Sequence, residues 1–381
     1  MTEKRVGVLL PRSSLYPTLS IDLMSGFKAY LKKSEVSVKI FSENIGFGEA
    51  EAVVYTKVEK LLLDEDVSFV IAFIDHTEAF KLVPLFSKLN KLLVVMDPGG
   101  HIPIDWQSSP FCYTLSLQAA FGSRLTGQLS GQEGAVRPVF ATSFYDGGYL
   151  QCFAYQKGIE AGGGQIQSHL VVPYVREDFS ISPLHDVLEQ KQPDSILAQF
   201  SIESGEFFLK EYTRSGLYKK LKLYTSPFML EETWLNSMDY PFEGIKGHVT
   251  WFHDLENESN HLFKRTLGGQ SNIFSMFGWE TGQFFIQCTT ILNKYNGVIV
   301  DATHELEAIA FESPRGVVEM HSTSHHLVAP MYITEVIPSQ SGKCKLQLID
   351  TVPDIIEKFE QYKIEKPEGV FSKWTNTYLC I

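Results

Sequence analysis

Phe69-Val70-Ile71-Ala72-Phe73-Ile74 is followed by Asp75-His76, an amphipathic stretch over Thr77–Leu89, and a second apolar run, Leu92-Leu93-Val94-Val95-Met96, which Asp97-Pro98-Gly99-Gly100 closes. Short runs rich in β-branched residues and bounded by turn formers predict strands buried on both faces. The helix-length spacer between them predicts a parallel pair, because parallel neighbours need a crossover of about a dozen residues. This stretch decides for an α/β fold.

The same alternation extends in both directions. On the N-terminal side lie a strand at Val6–Leu10, a helix over Ile21–Lys33 with Leu23, Met24, Phe27, Tyr30 and Leu31 at helical spacing, a strand at Val36–Phe41 and a helix over Ala50–Leu63. After a helix over Gln118–Ser130 a second series begins at Pro138–Thr142. It continues with a helix over Tyr149–Ala161 that stops at Gly162-Gly163-Gly164, strands at His169–Val172, Ile196–Phe200 and Leu221–Tyr224, and a helix over Pro183–Lys191. Two tandem βα series predict two lobes of like architecture with parallel sheets. A long helical region over Asn257–Asn293, interrupted at Gly268-Gly269, leads to strand-like runs at Gly316–Met320, Val328–Ile337 and Cys344–Ile349.

Composition narrows the function. The chain has 381 residues, enough for two or three domains, and a net charge of -12, which argues against a partner bound by phosphate neutralisation or by a polybasic membrane patch. No nucleic acid partner and no membrane insertion are expected, since no apolar run approaches the roughly 18 residues of a spanning helix. The opening run Val6–Pro11 is too short for a secretory leader. Five scattered cysteines, Cys112, Cys152, Cys288, Cys344 and Cys380, form no C-x-x-C pair, so neither a zinc site nor a disulfide framework is predicted. His321, His325 and His326 fall beside a Ser-Thr-Ser loop, which argues against a metal centre. The absence of nucleophile, metal and phosphate-loop motifs predicts a protein that is not an enzyme and needs no cofactor.

Candidate binding residues sit where strands end and helices begin. Backbone N–H groups point outward there, and open α/β sheets bind ligands at the carboxyl ends of their strands. Ser13, Ser14 and Thr77 offer donors; Asp75, Asp97, Glu203 and Glu231 offer carboxylates. Four carboxylates around one small ligand would repel one another, so one or two are expected to face inward. Thr77 also reads as a helix cap and Asp97 as a turn residue before Pro98.

Four stretches together resemble a known family. They are Val6–Pro11 with Arg12-Ser13-Ser14-Leu15-Tyr16; Val70–Ala79 with Leu93–His101; Tyr145-Asp146-Gly147-Gly148-Tyr149 with Phe153 and Gly158; and Glu312-Ser313-Pro314-Arg315-Gly316 with His325-His326 and Pro330–Ile333. In this order they resemble the type I periplasmic-binding-protein superfamily, in particular its branched-chain amino acid and amide receptor branch. The resemblance implies two Rossmann-like lobes with parallel sheets joined by a multi-crossing hinge, lobe I spanning 1–117 plus 250–315 and lobe II 118–249 plus 316–381. It also implies a cleft lined by Ser13, Tyr16, Asp75, His76, Thr77, Asp97, Gly99, His101, Tyr145, Tyr149, Phe200, Glu203 and Glu231, with Tyr149 matching the family's second-lobe tyrosine. The function implied is capture of an amino acid, amide or related solute for the permease of an ABC transporter. An alternative within the family is a cytoplasmic amide-type sensor acting through a regulatory protein. Location follows the leader: periplasmic if one has been trimmed, cytoplasmic if the chain is native as given. The turn Asp97-Pro98-Gly99-Gly100 departs from the small, hydroxyl-rich segment usual in amino acid receptors.

Overall fold

The computed structural model describes residues 4–48, 50–173, 179–238, 242–339, 342–370, 372, 374 and 378. The chain first builds five parallel strands, β1 (Lys4–Leu10), β2 (Val38–Asn44), β3 (Phe69–Phe73), β4 (Leu92–Asp97) and β5 (Cys112–Ser116). It then crosses to a second sheet and lays down β6 (Pro138–Ser143), β7 (Ser168–Val172), β8 (Ser195–Gln199), β9 (Lys222–Thr225) and β10 (Ile245–Val249), again parallel. A return crossing leads through the helices Glu258–Leu267, Ile273–Lys294 and Ile299–Leu306 to β11 (Ala310–Ser313), β12 (Gly316–His321) and β13 (His326–Val328) on the first sheet. The third crossing delivers β14 (Tyr332–Pro338) and β15 (Cys344–Thr351) to the second.

The strand orders are β11-β12-β13-β5-β4-β3-β1-β2 and β15-β14-β10-β9-β8-β6-β7. Each parallel core has its second strand outside its first and the remaining three on the other side, which is a doubly wound arrangement. The expected α/β class with two lobes of parallel strands is found. Every residue of β3, β4, β5, β6 and β8 is buried, as strands covered on both faces require.

Three local expectations need correction. The expected boundary at Gly316 is a hairpin turn: Gly316 has φ +100, and β12 and β13 stay on the first sheet, where His326 pairs with Thr114 of β5. The change of lobe falls instead at 329–331, where Pro330 has no N–H to continue a ladder, and this also splits the strand expected over Val328–Ile337. The helix expected over Thr77–Leu89 is two short helices, His76–Phe80 and Val83–Leu89, with Pro84 in the first turn of the second.

Each lobe carries a helix pair in close approach. The helices Leu19–Lys33 and Ile273–Lys294 touch where a Cβ on Gly26 would lie 1.8 Å from the Ser275 carbonyl oxygen. Phe285 from this pair packs against Phe69 at the start of β3, with ring centroids 5.1 Å apart. In the other lobe the helices Ala119–Gln132 and Gln151–Ala161 meet at Gly158, whose Cβ would lie 1.9 Å from the Arg124 carbonyl oxygen.

The crossings are tied together by one buried cation. The Arg315 guanidinium, fully buried, donates to both carboxylate oxygens of Glu280 at 2.7 and 2.6 Å, to the Ser116 carbonyl at 2.8 Å and to Thr250 Oγ1 at 2.9 Å. Thr250 in turn donates to the Pro330 carbonyl at 3.2 Å, and the Gln118 side chain bonds both backbone groups of Ala329. All three connections between the lobes therefore converge on one hydrogen-bonded knot.

Candidate functional site

On the first lobe, Asp75 follows β3 in extended conformation and caps the helix His76–Phe80, one carboxylate oxygen accepting from the N–H groups of Thr77 and Glu78 at 2.9 and 3.4 Å. The helix is thus capped by Asp75 and not by Thr77, whose hydroxyl also donates to Asp75. The second Asp75 oxygen lies 3.3 Å from His101 Nδ1 and 4.0 Å from His76 Nδ1. Burial pushes the Asp75 carboxyl up, but His101 and His76 outweigh it and hold the group at about 2.

His76 Nδ1 bonds Asp97 Oδ2 at 2.5 Å, while Asp97 Oδ1 accepts the Gly99 N–H at 2.8 Å. Burial alone would lower the His76 pKa; the Asp97 carboxylate overrides it and raises the imidazole above its ordinary range. Gly99 sits at φ +72, and a Cβ there would lie 2.4 Å from Ser116 Oγ, so the turn after β4 lies flat on the first crossing only because it is glycine.

Trp106 stacks on His76 at 5.6 Å, and the His326 ring stands edge-on to His76 at 4.8 Å. His326 Nδ1 lies 2.9 Å from the Ser324 carbonyl, which assigns the proton to Nδ1 and leaves Nε2 an acceptor. Burial, with His76 nearby, pushes the His326 pKa far down. The Nε2 atoms of His76 and His326 are both buried without a partner among the described residues. Both residues line a cavity of about 20 Å³ that Trp106, Phe359 and Tyr362 cover. Two unpartnered imidazole nitrogens thus face the same small space.

On the second lobe, the loop after β6 carries Tyr145 and Tyr149 edge-to-face at 6.2 Å. Between them Asp146 accepts from Ser143 Oγ at 2.6 Å and Ser201 Oγ at 3.3 Å; burial nevertheless pushes its carboxyl up to about 6. After β9, Glu231 caps the helix Glu232–Ser237, accepting from Thr233 and Trp234 N–H at 3.0 and 2.9 Å. The lobes meet where Tyr16 O–H of the first reaches Glu231 of the second at 3.4 Å.

Of the residues expected in the cleft, Asp75, His76, Thr77, Asp97, Gly99 and His101 form one cluster on the first wall. Tyr16 meets Glu231 at the lobe junction, with Ser13 Oγ accepting the Tyr16 N–H, and Tyr145 and Tyr149 share a loop of the second wall. Two are placed otherwise. Phe200 stacks on Phe208 at 4.6 Å within the second lobe's core, and Glu203 is exposed in the first turn of the helix Ile202–Arg214. His321 and His325 point to separate partners, Glu360 and Glu307, so the histidine run does not converge. Cys112, Cys152, Cys288 and Cys344 are free thiols; Cys380 lies outside the described residues.

Trp106, Phe228, Phe274, Trp374 and Tyr378 are additions that residue-by-residue reading missed. The available signal was the 13% aromatic content, with no indication of which rings are core.

Two α/β lobes of matching strand order, joined by three crossings and facing each other with their strand-end loops, define a two-lobed cleft protein. Among the described residues no helix is long and apolar enough to cross a membrane. The chain belongs to the periplasmic binding protein family, whose model matches residues 3–343, in agreement with the resemblance carried by the four sequence stretches. It is 21% identical to the Leu/Ile/Val-binding protein homolog 6 of Brucella abortus over 89% of this chain and 88% of that protein. Its fold is similar to that of an ABC transporter substrate-binding protein from Sphaerobacter thermophilus, with TM-score 0.79 and 17% identity over 93% of this chain and 98% of that one. It is also similar to a solute binding protein of an ABC transporter from Rhodopseudomonas palustris HaA2 solved in complex with p-hydroxybenzoic acid, with TM-score 0.76 and 19% identity over 92% and 97% of the two chains.

Proposed function

We propose that this chain is a non-catalytic solute-binding protein that captures a small amphiphilic solute between its lobes and presents it to a membrane permease. The observation that carries this reading is the meeting of strand-end loops from both lobes across one cleft, with Tyr16 and Glu231 3.4 Å apart at their junction. A solute that touches both walls stabilises their closed arrangement, and one that touches a single wall leaves the equilibrium unmoved. The names of similar proteins, which include branched-chain amino acid and benzoate binders, support the same role. The family name favours a periplasmic location.

The chemistry of the walls narrows the solute. The unpartnered Nε2 of His76, an imidazole whose pKa Asp97 raises, suits a carboxylate, and Tyr16, Tyr145, Tyr149 and Trp106 suit an apolar body. Glu231 already accepts two backbone N–H groups, so it is a poor seat for an ammonium group. These features favour a carboxylate with a ring or branched chain over a ligand recognised through its amine.

A thermal-shift screen with benzoate, 4-hydroxybenzoate, leucine, isoleucine, valine and short-chain amides tests the proposal. Ligand at a hundredfold excess over its Kd adds about 2.7 kcal/mol to stability, a rise of several degrees. The carboxylates are expected to raise the melting temperature more than the amides. No rise with any of these probes at millimolar concentration would count against solute capture in this cleft.

A further inference from the structure

Part of the chain itself sits between the two lobes. Tyr378 is 1% exposed, and its ring lies 5.6 Å from Tyr16 and 5.2 Å from Phe274 of the first lobe, and 5.0 Å from Phe228 of the second. Its backbone carbonyl accepts from Ser13 Oγ at 2.5 Å. Four residues earlier, Trp374 forms a parallel β-bridge with Tyr149, and its ring lies 5.8 Å from Tyr145. A Cβ on Gly148 would lie 2.9 Å from that indole, and Ser372 Oγ donates to the Gly148 carbonyl. Ser13 and Tyr16 are thus engaged by Tyr378, and Tyr145 and Tyr149 by Trp374.

Two small voids lie in this region, about 10 Å³ beside Tyr378 and Glu231 and about 20 Å³ beside His76 and Trp106, while a third, of about 320 Å³, is lined by Glu231, Glu232, Trp251 and Asn272. Each of the two small voids has room for about one water molecule. A branched amino acid or a benzoate does not fit beside Tyr378 or beside His76. Trp374 and Tyr378 lie beyond the stretch matched by the family model, which ends at residue 343.

We infer that the interlobe cleft is a binding site for the chain's own C-terminal segment, anchored by Trp374 and Tyr378, and that the segment and the solute compete for it. Recognition combines a backbone bridge with aromatic anchors in pockets, as in the capture of extended peptides. Because the segment is tethered, it acts at a high effective concentration, and the apparent solute affinity falls by the fraction of molecules whose cleft is vacant. The competition with solute rests on the solute-binding reading above; the seating of the segment does not.

The test uses the full-length protein carrying Trp374→Ala and Tyr378→Ala together, with Trp374→Phe and Tyr378→Phe as the ring-preserving control. Amide hydrogen exchange is read at Tyr16, Gly148 and Tyr149, and calorimetric titration is run with 4-hydroxybenzoate and leucine. The alanine variant is expected to exchange at least tenfold faster at these amides while the phenylalanine control stays close to wild type. A probe that binds is expected to bind about tenfold more tightly to the alanine variant. Unchanged exchange in the alanine variant overturns the proposal, whatever the titrations give. Faster exchange with neither probe binding upholds the seat and counts instead against those solutes.

Discussion

At the residue scale, the carboxylates at strand ends were legible and their tasks were not. Asp75 and Asp97 could be placed after β3 and β4 from the apolar runs that precede them, since a strand must end where the run does. That Asp97 would raise the His76 pKa, and that Asp75 would be shared between a helix cap and His101, depends on side-chain directions that sequence spacing does not carry. Glu280 shows the limit more sharply: it lies mid-helix with 0% exposure, and only the position of Arg315, 35 residues away, explains why a carboxylate is tolerated there. Arg315→Met should therefore destabilise the protein by about 3 to 5 kcal/mol, because Glu280 is left as an uncompensated buried charge. Urea unfolding measures it, and Arg315→Met combined with Glu280→Gln should recover at least half of the loss. A cost below about 1 kcal/mol would mean that the pair does not bear on the hinge.

At the element scale, the strands and long helices followed from hydrophobic period, and the misjudged segments share one cause. Pro84, Gly316 and Pro330 were all visible as punctuation, but a proline or glycine marks a break without saying what kind. Pro84 restarts a helix, Gly316 turns a hairpin within one sheet, and Pro330 accompanies the change of lobe. The glycines inside helices are different, because their meaning is contact. Gly26 faces the backbone of Ser275 and Gly158 that of Arg124, each where a Cβ would overlap an oxygen. Gly26→Ala should cost at least about 1 to 3 kcal/mol in chemical denaturation despite the better helix propensity of alanine. Gly158→Ala should cost a similar amount, and the two should add, since they lie in different lobes and share no partner. A stabilising effect of either would show that the helix pair has room to spare.

At the scale of the whole molecule, two sheets of like strand order place their binding loops face to face, and the Arg315 knot fixes where the connections between them run. The α/β class could be read from the alternation of strands and helices, and the family from four short stretches in register. The occupant of the cleft could not, because Trp374 and Tyr378 lie far along the chain from the loops they touch. The central claim is that one solute is held by both walls at once. Its most direct measurement is calorimetric titration of 4-hydroxybenzoate and leucine into wild type, His101→Ala from the first wall and Tyr149→Ala from the second. Capture between the lobes predicts that both variants keep the wild-type unfolding midpoint to within a few degrees and lose at least tenfold in affinity, about 1.4 kcal/mol each, for the solute that binds. A solute that binds wild type and both variants equally well would contradict it.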